Sequence, residues 1–137
     1  KNEILKKICY KESTSNILLK HKASLEALFH GYGSAKDGHA PKQRKKTVAM
    51  SAKEWLSLCM QVMPVTESLF SMRQRKLCFL RSRMRAIDEL KLGKISQLQF
   101  TDFLECIVRV SCVTPLPTEE ELKALECSGA WHFFRRV

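Results

Sequence analysis

Cysteine, histidine and adjacent carboxylate residues are the groups in this sequence that could catalyse a reaction or bind zinc. The six cysteines include no C-x-x-C pair and the four histidines are scattered, so the paired ligands of a zinc site are lacking. No histidine adjoins Cys106 or Cys112 to activate a thiol. The neighbouring Asp88 and Glu89 lack a nucleophile and a histidine partner. The sequence therefore predicts reduced thiols, no cofactor and no enzymatic activity.

A second possibility is calcium binding in two segments that lie between predicted helices. Calcium loops of helix–loop–helix units have twelve residues, with oxygen ligands at positions 1, 3, 5, 7, 9 and 12 and glycine at position 6. In the first segment, Gly33 aligns with position 1, and Asp37 and Gly38 align with positions 5 and 6. Met50 aligns with the apolar position 8 and Glu54 with position 12, after a surplus of ten residues. This loop keeps two acidic residues at ligand positions, but the ten extra residues interrupt its twelve-residue pattern.

The second segment keeps the apolar positions of such a loop but has lost most of its ligands. Leu98 aligns with position 8, where it would pair with Met50 of the first loop, and Lys91 occupies the first ligand position. Because Ca²⁺ requires six to eight oxygens, several of them charged, we expect neither loop to hold it. The degenerate acidic positions are Asp37, Glu54 and Asp102. The alternative is a calcium-responsive sensor in which backbone oxygens and water complete the coordination sphere of the first loop.

Helices with recognisable ends are expected on both sides of the first loop. Apolar residues recur at helical spacing from Ile17 to Tyr32, after a short N-terminal helix and a polar break at residues 13–16. The loop extends over residues 33–49 and shows no strand pattern. A capping box at Ser51 to Glu54 then begins the next helix, which runs to about residue 63.

The second loop is flanked in the same way. A capping box at Ser71 to Gln74 begins a helix that extends to about Leu90, with Leu77 and Leu80 on its apolar face. After the loop, apolar residues at helical spacing predict another helix over residues 100–113. The two halves of the chain are therefore expected to have the same helix–loop–helix organisation.

These elements predict an all-α fold in a single domain covering residues 1–137. Its first half covers about 17–63 and its second about 71–113, and the tail at 114–137 adds a short helix capped by Thr118. No apolar run approaches the roughly 20 residues needed to cross a membrane. We therefore expect a cytoplasmic protein with no membrane partner.

Three stretches of the sequence carry a resemblance to a known family. They are Arg81 to Arg85 followed by Asp88-Glu89-Leu90, then Leu98 to Val110, and finally Pro115 to Glu120. The region from Leu25 to Thr118 resembles the degenerate EF-hand pair of cilium- and flagellum-associated proteins, especially those of protists. The resemblance implies an EF-hand-like helix–loop–helix pair with an extra N-terminal helix and a short C-terminal helical tail. It also implies a structural role in a larger complex of the ciliary or flagellar axoneme, with no catalytic residues.

Positive charge dominates the sequence, with a formal net charge of +10 at pH 7, and it favours anionic partners. The candidate partner-binding residues are Lys42, Arg44, Lys45 and Lys46 in the first loop and Arg73, Arg75, Lys76, Arg81, Arg83 and Arg85 on the arginine-rich helix. Together with the resemblance, this charge predicts contacts with acidic tubulin surfaces or other axonemal proteins of the cytoskeleton. A nucleic-acid-binding domain is the remaining alternative, although the sequence has no recognised reader motif.

Overall fold

The computed structural model describes residues 2–36, 47–63, 66–83 and 97–136 of the chain. Within these ranges the protein is mostly helical, which confirms the all-α class. The helices are α1 (Asn2–Cys9), α2 (Glu12–Lys20), α3 (Lys22–Tyr32), α4 (Ala52–Val62), α5 (Met72–Ser82), α6 (Phe100–Val113), α7 (Glu119–Ala124) and α8 (Ala130–Arg136). Two short strands are β1 (Ser34–Lys36) and β2 (Thr47–Ala49). None of these helices is long and apolar enough to cross a lipid bilayer.

The N-terminal part of the chain divides into helices at a different place from the predicted one. The single helix predicted from Ile17 to Tyr32 is interrupted at His21, where the backbone leaves the helical region (φ −103°, ψ 12°) and α2 gives way to α3. The polar residues 13–16, predicted as a break, lie inside α2. The Thr14 hydroxyl donates a hydrogen bond of 2.9 Å to the Ile8 carbonyl, so the polar segment caps the end of α1 while remaining helical.

The loop predicted at residues 33–49 contains a short antiparallel ladder. β1 and β2 pair in the register Ser34 with Ala49, Ala35 with Val48 and Lys36 with Thr47. Strands of three residues are too short to show an alternating pattern in the sequence. The segment between them, which includes Asp37 and the basic run from Lys42 to Lys46, lies outside the described residues.

The predicted capping boxes are confirmed at the first residues of two core helices. The Ser51 N–H donates to the Glu54 carboxylate at 2.7 Å and begins α4. The Ser71 N–H donates to the Gln74 side-chain oxygen at 2.8 Å and begins α5. A third box at Thr118 begins α7. Each box satisfies backbone donors that the first turn of a helix leaves without partners, so these helix starts are local properties of the sequence.

The hydrophobic core lies where α3, α4, α5 and α6 meet. Its fully buried side chains are Phe29, Met50, Trp55, Leu58, Cys59, Phe70, Leu98, Phe103 and Cys106. The Phe103 ring lies 5.4 Å from the Phe29 ring and 6.3 Å from the Trp55 ring, measured between centroids. Aromatic rings at such distances contribute beyond the burial of their area. Helices from both predicted halves of the chain therefore share one core.

Helix α5 presents a different face to the core from the one predicted. The sequence placed Leu77 and Leu80 inward, whereas Leu80 is 47% exposed and α5 buries Arg75, Cys78 and Phe79. These three residues follow the three- and four-residue spacing of one helical face. Turning this face inward buries the large Phe79 ring and leaves Leu80 on the outside. The prediction for Leu80 was wrong because the apolar residues of α5 occur on more than one face.

Candidate interaction site at the paired loops and helix α5

The two segments that the sequence aligned with calcium loops contact each other through the backbones of Met50 and Leu98. The Met50 N–H donates to the Leu98 carbonyl at 2.9 Å, and the Leu98 N–H donates to the Met50 carbonyl at 2.8 Å. Both side chains are fully buried. These are the two residues that the sequence aligned with the apolar position 8 of each loop. The reciprocal bonds join the end of β2 to the segment that precedes α6.

The Glu54 carboxylate has structural partners on both of its oxygens. One oxygen accepts the Ser51 N–H at 2.7 Å, and the other is hydrogen-bonded to the Ser34 hydroxyl. The Ser51 hydroxyl in turn accepts the Glu54 N–H at 3.3 Å. Glu54 therefore connects β1 to the first turn of α4 through hydrogen bonds. The carboxylate that would be the last ligand of the first calcium loop is engaged in capping.

Asp102 caps the start of the helix after the second loop, as Glu54 does after the first loop. One of its carboxylate oxygens accepts the Gln99 N–H at 2.9 Å, and the residue is only 8% exposed. Burial raises the pKa of the Asp102 carboxyl, and the hydrogen bond from Gln99 opposes that rise. Over the part of the chain that the structure describes, no three His, Cys, Asp or Glu side chains lie close enough together to hold a metal ion.

Gly33 aligns with the first ligand position of the first loop and is closely surrounded by neighbouring atoms. A Cβ atom at this residue would lie 2.7 Å from the Phe29 carbonyl oxygen and 2.8 Å from Cγ1 of Val48. The Gly33 backbone angles (φ −74°, ψ 159°) are accessible to any residue. Close approach, not an unusual dihedral angle, therefore requires glycine here. An aspartate at the first ligand position would need the loop to move.

Replacing Gly33 with alanine is expected to destabilise the fold by about 1–3 kcal/mol, because inserting an atom into a packed site forces its neighbours to move. Gly31→Ala is the matched control, since a Cβ at residue 31 has nothing within 4 Å. Alanine at that position in α3 is expected to stabilise the protein by up to about 1 kcal/mol. Urea unfolding followed by circular dichroism measures both changes. Equal stability of Gly33→Ala and the unmodified protein would contradict a closed first ligand position.

No family model, curated protein or solved structure matches this chain. The function of the site is therefore inferred from its own contacts, burial and charge.

Helix α5 carries the described part of the predicted basic surface. Arg73, Lys76 and Arg81 are exposed, and Arg83 directly after the helix is half-buried. The Arg83 guanidinium lies 5.8 Å from the centroid of the Phe79 ring. The sequence Met72–Ser82 contains no acidic residue. The other predicted cations lie outside the described residues: Lys42, Arg44, Lys45, Lys46 and Arg85.

Arg75 lies in the interior, not on the basic surface where the sequence placed it. Arg75 is only 6% exposed, and its guanidinium lies 5.4 Å from the centroid of the Phe70 ring. Its Nη1 atom is 3.7 Å from an oxygen of Glu67, and its carbonyl accepts the Trp55 indole N–H at 3.0 Å. Long basic side chains can bury their stems in this way. The exposed cations of α5 are consequently fewer than the sequence suggested.

A polar cluster that was not predicted from the sequence joins the end of α1 to α6. Arg109 is 3% exposed, and its Nη2 and Nε atoms donate to one oxygen of Glu105 at 2.6 and 3.0 Å. The Tyr10 hydroxyl donates to the other oxygen of Glu105 at 3.3 Å. The four-residue spacing of a glutamate and an arginine on a helix was the signal that could have revealed the pair. The burial of the Glu105–Arg109 pair depends on the position of α1, and the spacing of the two residues does not predict that position.

The six cysteines are all free thiols: Cys9, Cys59, Cys78 and Cys106 are buried, Cys127 is half-buried and Cys112 is exposed. Burial raises the pKa of Cys59 to about 12 and that of Cys78 to about 11, and it also raises the pKa of Cys106. A buried thiol with a raised pKa forms little of the reactive thiolate. Cys112, by contrast, is exposed on α6.

Iodoacetamide at about pH 8 is therefore expected to alkylate Cys112 much faster than Cys59, Cys78 or Cys106, because the thiolate is the reacting form. Intact-mass spectrometry followed by peptide mapping would follow the reaction in the folded protein. Unfolding in urea should make the four rates similar. Rapid alkylation of Cys59, Cys78 or Cys106 without urea would show that the core opens on the timescale of the reaction.

Proposed function

We propose that the chain is a non-catalytic protein-interaction module, built on a metal-independent EF-hand-like pair, and that it has a structural role in the ciliary or flagellar axoneme. The reciprocal hydrogen bonds between Met50 and Leu98 carry the proposal. They join two loops at the positions expected of such a pair, and they do so with two apolar side chains in the core. A scaffold held together in this way needs no ion to assemble.

Three features of the loops support independence from calcium. Glu54 and Asp102, the last ligand positions, accept backbone N–H groups of their own helix starts. Gly33 leaves no space for a side chain at the first ligand position. Since calcium affinity follows the number and charge of the oxygen ligands, the loops serve as structural connections between helices.

The partner class rests on charge and on the resemblance to axonemal proteins. The chain has a net charge of +10, and Arg73, Lys76 and Arg81 are exposed along α5 without a neighbouring acid in that helix. Such a surface attracts acidic partners and accelerates their association. Acidic tubulin surfaces and acidic axonemal proteins both meet this requirement.

Calcium titration by calorimetry, with melting curves in calcium and in chelator, tests metal independence. We expect no binding heat and equal melting temperatures. Saturable binding near micromolar calcium would overturn this part of the proposal and favour a calcium sensor, because a ligand that binds only the folded state must raise the melting temperature. The Glu54→Gln variant is the control for any heat that does appear, since it removes the charge of the last ligand position.

Co-sedimentation with microtubules tests the proposed partner. We expect the chain to pellet with intact microtubules at physiological salt and to pellet less with microtubules whose acidic tails have been removed by limited proteolysis. The triple variant Arg73→Glu, Lys76→Glu and Arg81→Glu should lower binding, because exposed charges govern association with an acidic surface. An equal pellet for the variant, or none for the unmodified chain, would contradict microtubules as the partner.

A further inference from the structure

An apolar cleft lies between α4 and α5, where the Leu80 side chain faces outward. The cleft has a volume of about 270 Å³, and Leu56 of α4 and Phe79 and Leu80 of α5 are among the residues that line it. Leu80 is 47% exposed, although it lies beside buried Phe79. Met60, one turn beyond Leu56 on α4, is 66% exposed. Both helices therefore carry exposed apolar side chains, Leu80 at the cleft and Met60 one turn further along α4.

Both charged residues that line this cleft in the described part of the chain are cations, Lys76 and Arg83. Lys76 is exposed. The Arg83 Nε atom is buried and has no hydrogen-bond partner among the described residues, and its guanidinium is positioned 5.8 Å from the Phe79 ring. An N–H group in this state favours an acceptor brought by a ligand. The rim of the cleft thus favours carboxylates next to apolar groups.

The chemistry of the cleft selects a helical polypeptide over other ligands. The cleft volume of about 270 Å³ lies below the roughly 300–1,000 Å³ of typical small-molecule sites. Helices α4 and α5 use their own backbone groups for helical hydrogen bonds, so the cleft offers no strand edge. A segment that enters it must satisfy its own backbone groups, which a helix does.

We infer that the α4–α5 cleft binds an acidic amphipathic α-helix of a partner protein, with apolar side chains of that helix between Leu56 and Leu80 and its carboxylates at Lys76 and Arg83. The inference rests on the proposed interaction role and names the class of partner. The cation rim and the absence of acids in Met72–Ser82 decide the charge of the partner. The two helices that border the cleft favour a helical partner, because a helix packs into the groove between two others.

The probe is a synthetic, fluorescein-labelled peptide of about 18 residues, long enough to form a helix. Its leucines are spaced i, i+4 and i+7 on one face, with glutamates on both sides of that face. Fluorescence anisotropy is expected to show saturable binding. Leu80→Asp should weaken binding at least about tenfold, as should the double variant Lys76→Glu with Arg83→Glu, because apolar anchors and paired charges dominate such interfaces.

Ile17→Asp is the matched control, since Ile17 is 62% exposed on α2, away from the cleft. It should leave the anisotropy curve unchanged. A peptide with lysines in place of the glutamates should not bind. Melting curves recorded by circular dichroism should be similar for all variants, because each changed side chain is at least partly exposed. The double charge variant keeps the test decisive if Leu80→Asp alters the fold.

Several outcomes would overturn the inference: no saturable binding of the acidic peptide, equal binding by Leu80→Asp and Ile17→Asp, or displacement of the peptide by duplex DNA. Sedimentation showing a dimer that Leu80→Asp dissociates would also overturn it, because a second copy would then occupy the cleft. Microtubule pelleting without any saturable binding of the acidic peptide would refute the cleft while the proposed function stands. Peptide binding without microtubule pelleting would support the cleft and remove tubulin as its partner.

Discussion

Trp55→Ala is expected to lower the free energy of unfolding by about 3–5 kcal/mol, the usual cost of deleting a large buried aromatic side chain. Trp55 is fully buried and its indole N–H donates to the Arg75 carbonyl at 3.0 Å. Its ring also lies against that of Phe103 from the other half. Because Trp55 links α4 to both α5 and α6, its loss affects the packing between the halves. Urea unfolding followed by circular dichroism measures the change.

The second tryptophan of the chain provides the control for Trp55. Trp131 lies on α8 and is 52% exposed, with the Arg135 guanidinium 5.8 Å from its ring centroid. Trp131→Ala should change stability by less than about 1 kcal/mol, as expected of an exposed cation–π contact. Trp55→Phe, which keeps most of the ring but deletes the N–H donor, should cost about 1–2 kcal/mol. Equal costs at Trp55 and Trp131 would contradict the core described above.

Arg109→Met should destabilise the protein by about 2–4 kcal/mol, because it leaves the Glu105 carboxylate in a poorly solvated site without its cation. The Arg109 side chain is 3% exposed and that of Glu105 is 14% exposed, with 2.6 Å between Nη2 and Oε1. The Tyr10 hydroxyl still donates to Glu105, so the loss should be smaller than for a carboxylate without any partner. Thermal and urea unfolding measure it.

The double variant Glu105→Leu with Arg109→Met should recover most of this loss, since replacing both members of a buried pair by apolar groups is often nearly neutral. The pair Lys22 and Glu26 has the same four-residue spacing but is exposed, with 3.8 Å between its charged atoms. Lys22→Met should therefore change stability by less than about 0.5 kcal/mol. A double variant as unstable as Arg109→Met would show that shape, not charge, explains the effect.

Features that depend on neighbouring residues were predictable from the sequence. The boxes at Ser51 and Ser71 were predicted and are present, because a capping box needs only two residues three positions apart. The alignment of both loops to one spacing rule brought Met50 and Leu98 together as candidates for pairing, and the structure joins them. The broad helical class followed from the periodicity of apolar residues.

Features that depend on distant parts of the chain were not predictable. The short ladder of β1 and β2 forms because residues 34–36 meet residues 47–49, a contact with no local signal. The polar break predicted at residues 13–16 was wrong for a local reason: polar side chains also occur within helices when they find nearby partners, as Thr14 does at the Ile8 carbonyl.

The sequence by itself determined where α4, α5 and α6 begin, that the fold is helical, and that the chain is strongly basic. Only the tertiary structure decided which face of α5 enters the core. Arg75 is buried and Leu80 is exposed, the reverse of the prediction, because Phe79 and the hydrogen bond from Trp55 fix the rotation of that helix. Helical spacing defines several alternative faces, and the choice among them depends on the shape and hydrogen bonds of the elements that pack against the helix. That choice buried an arginine and left the α4–α5 cleft open.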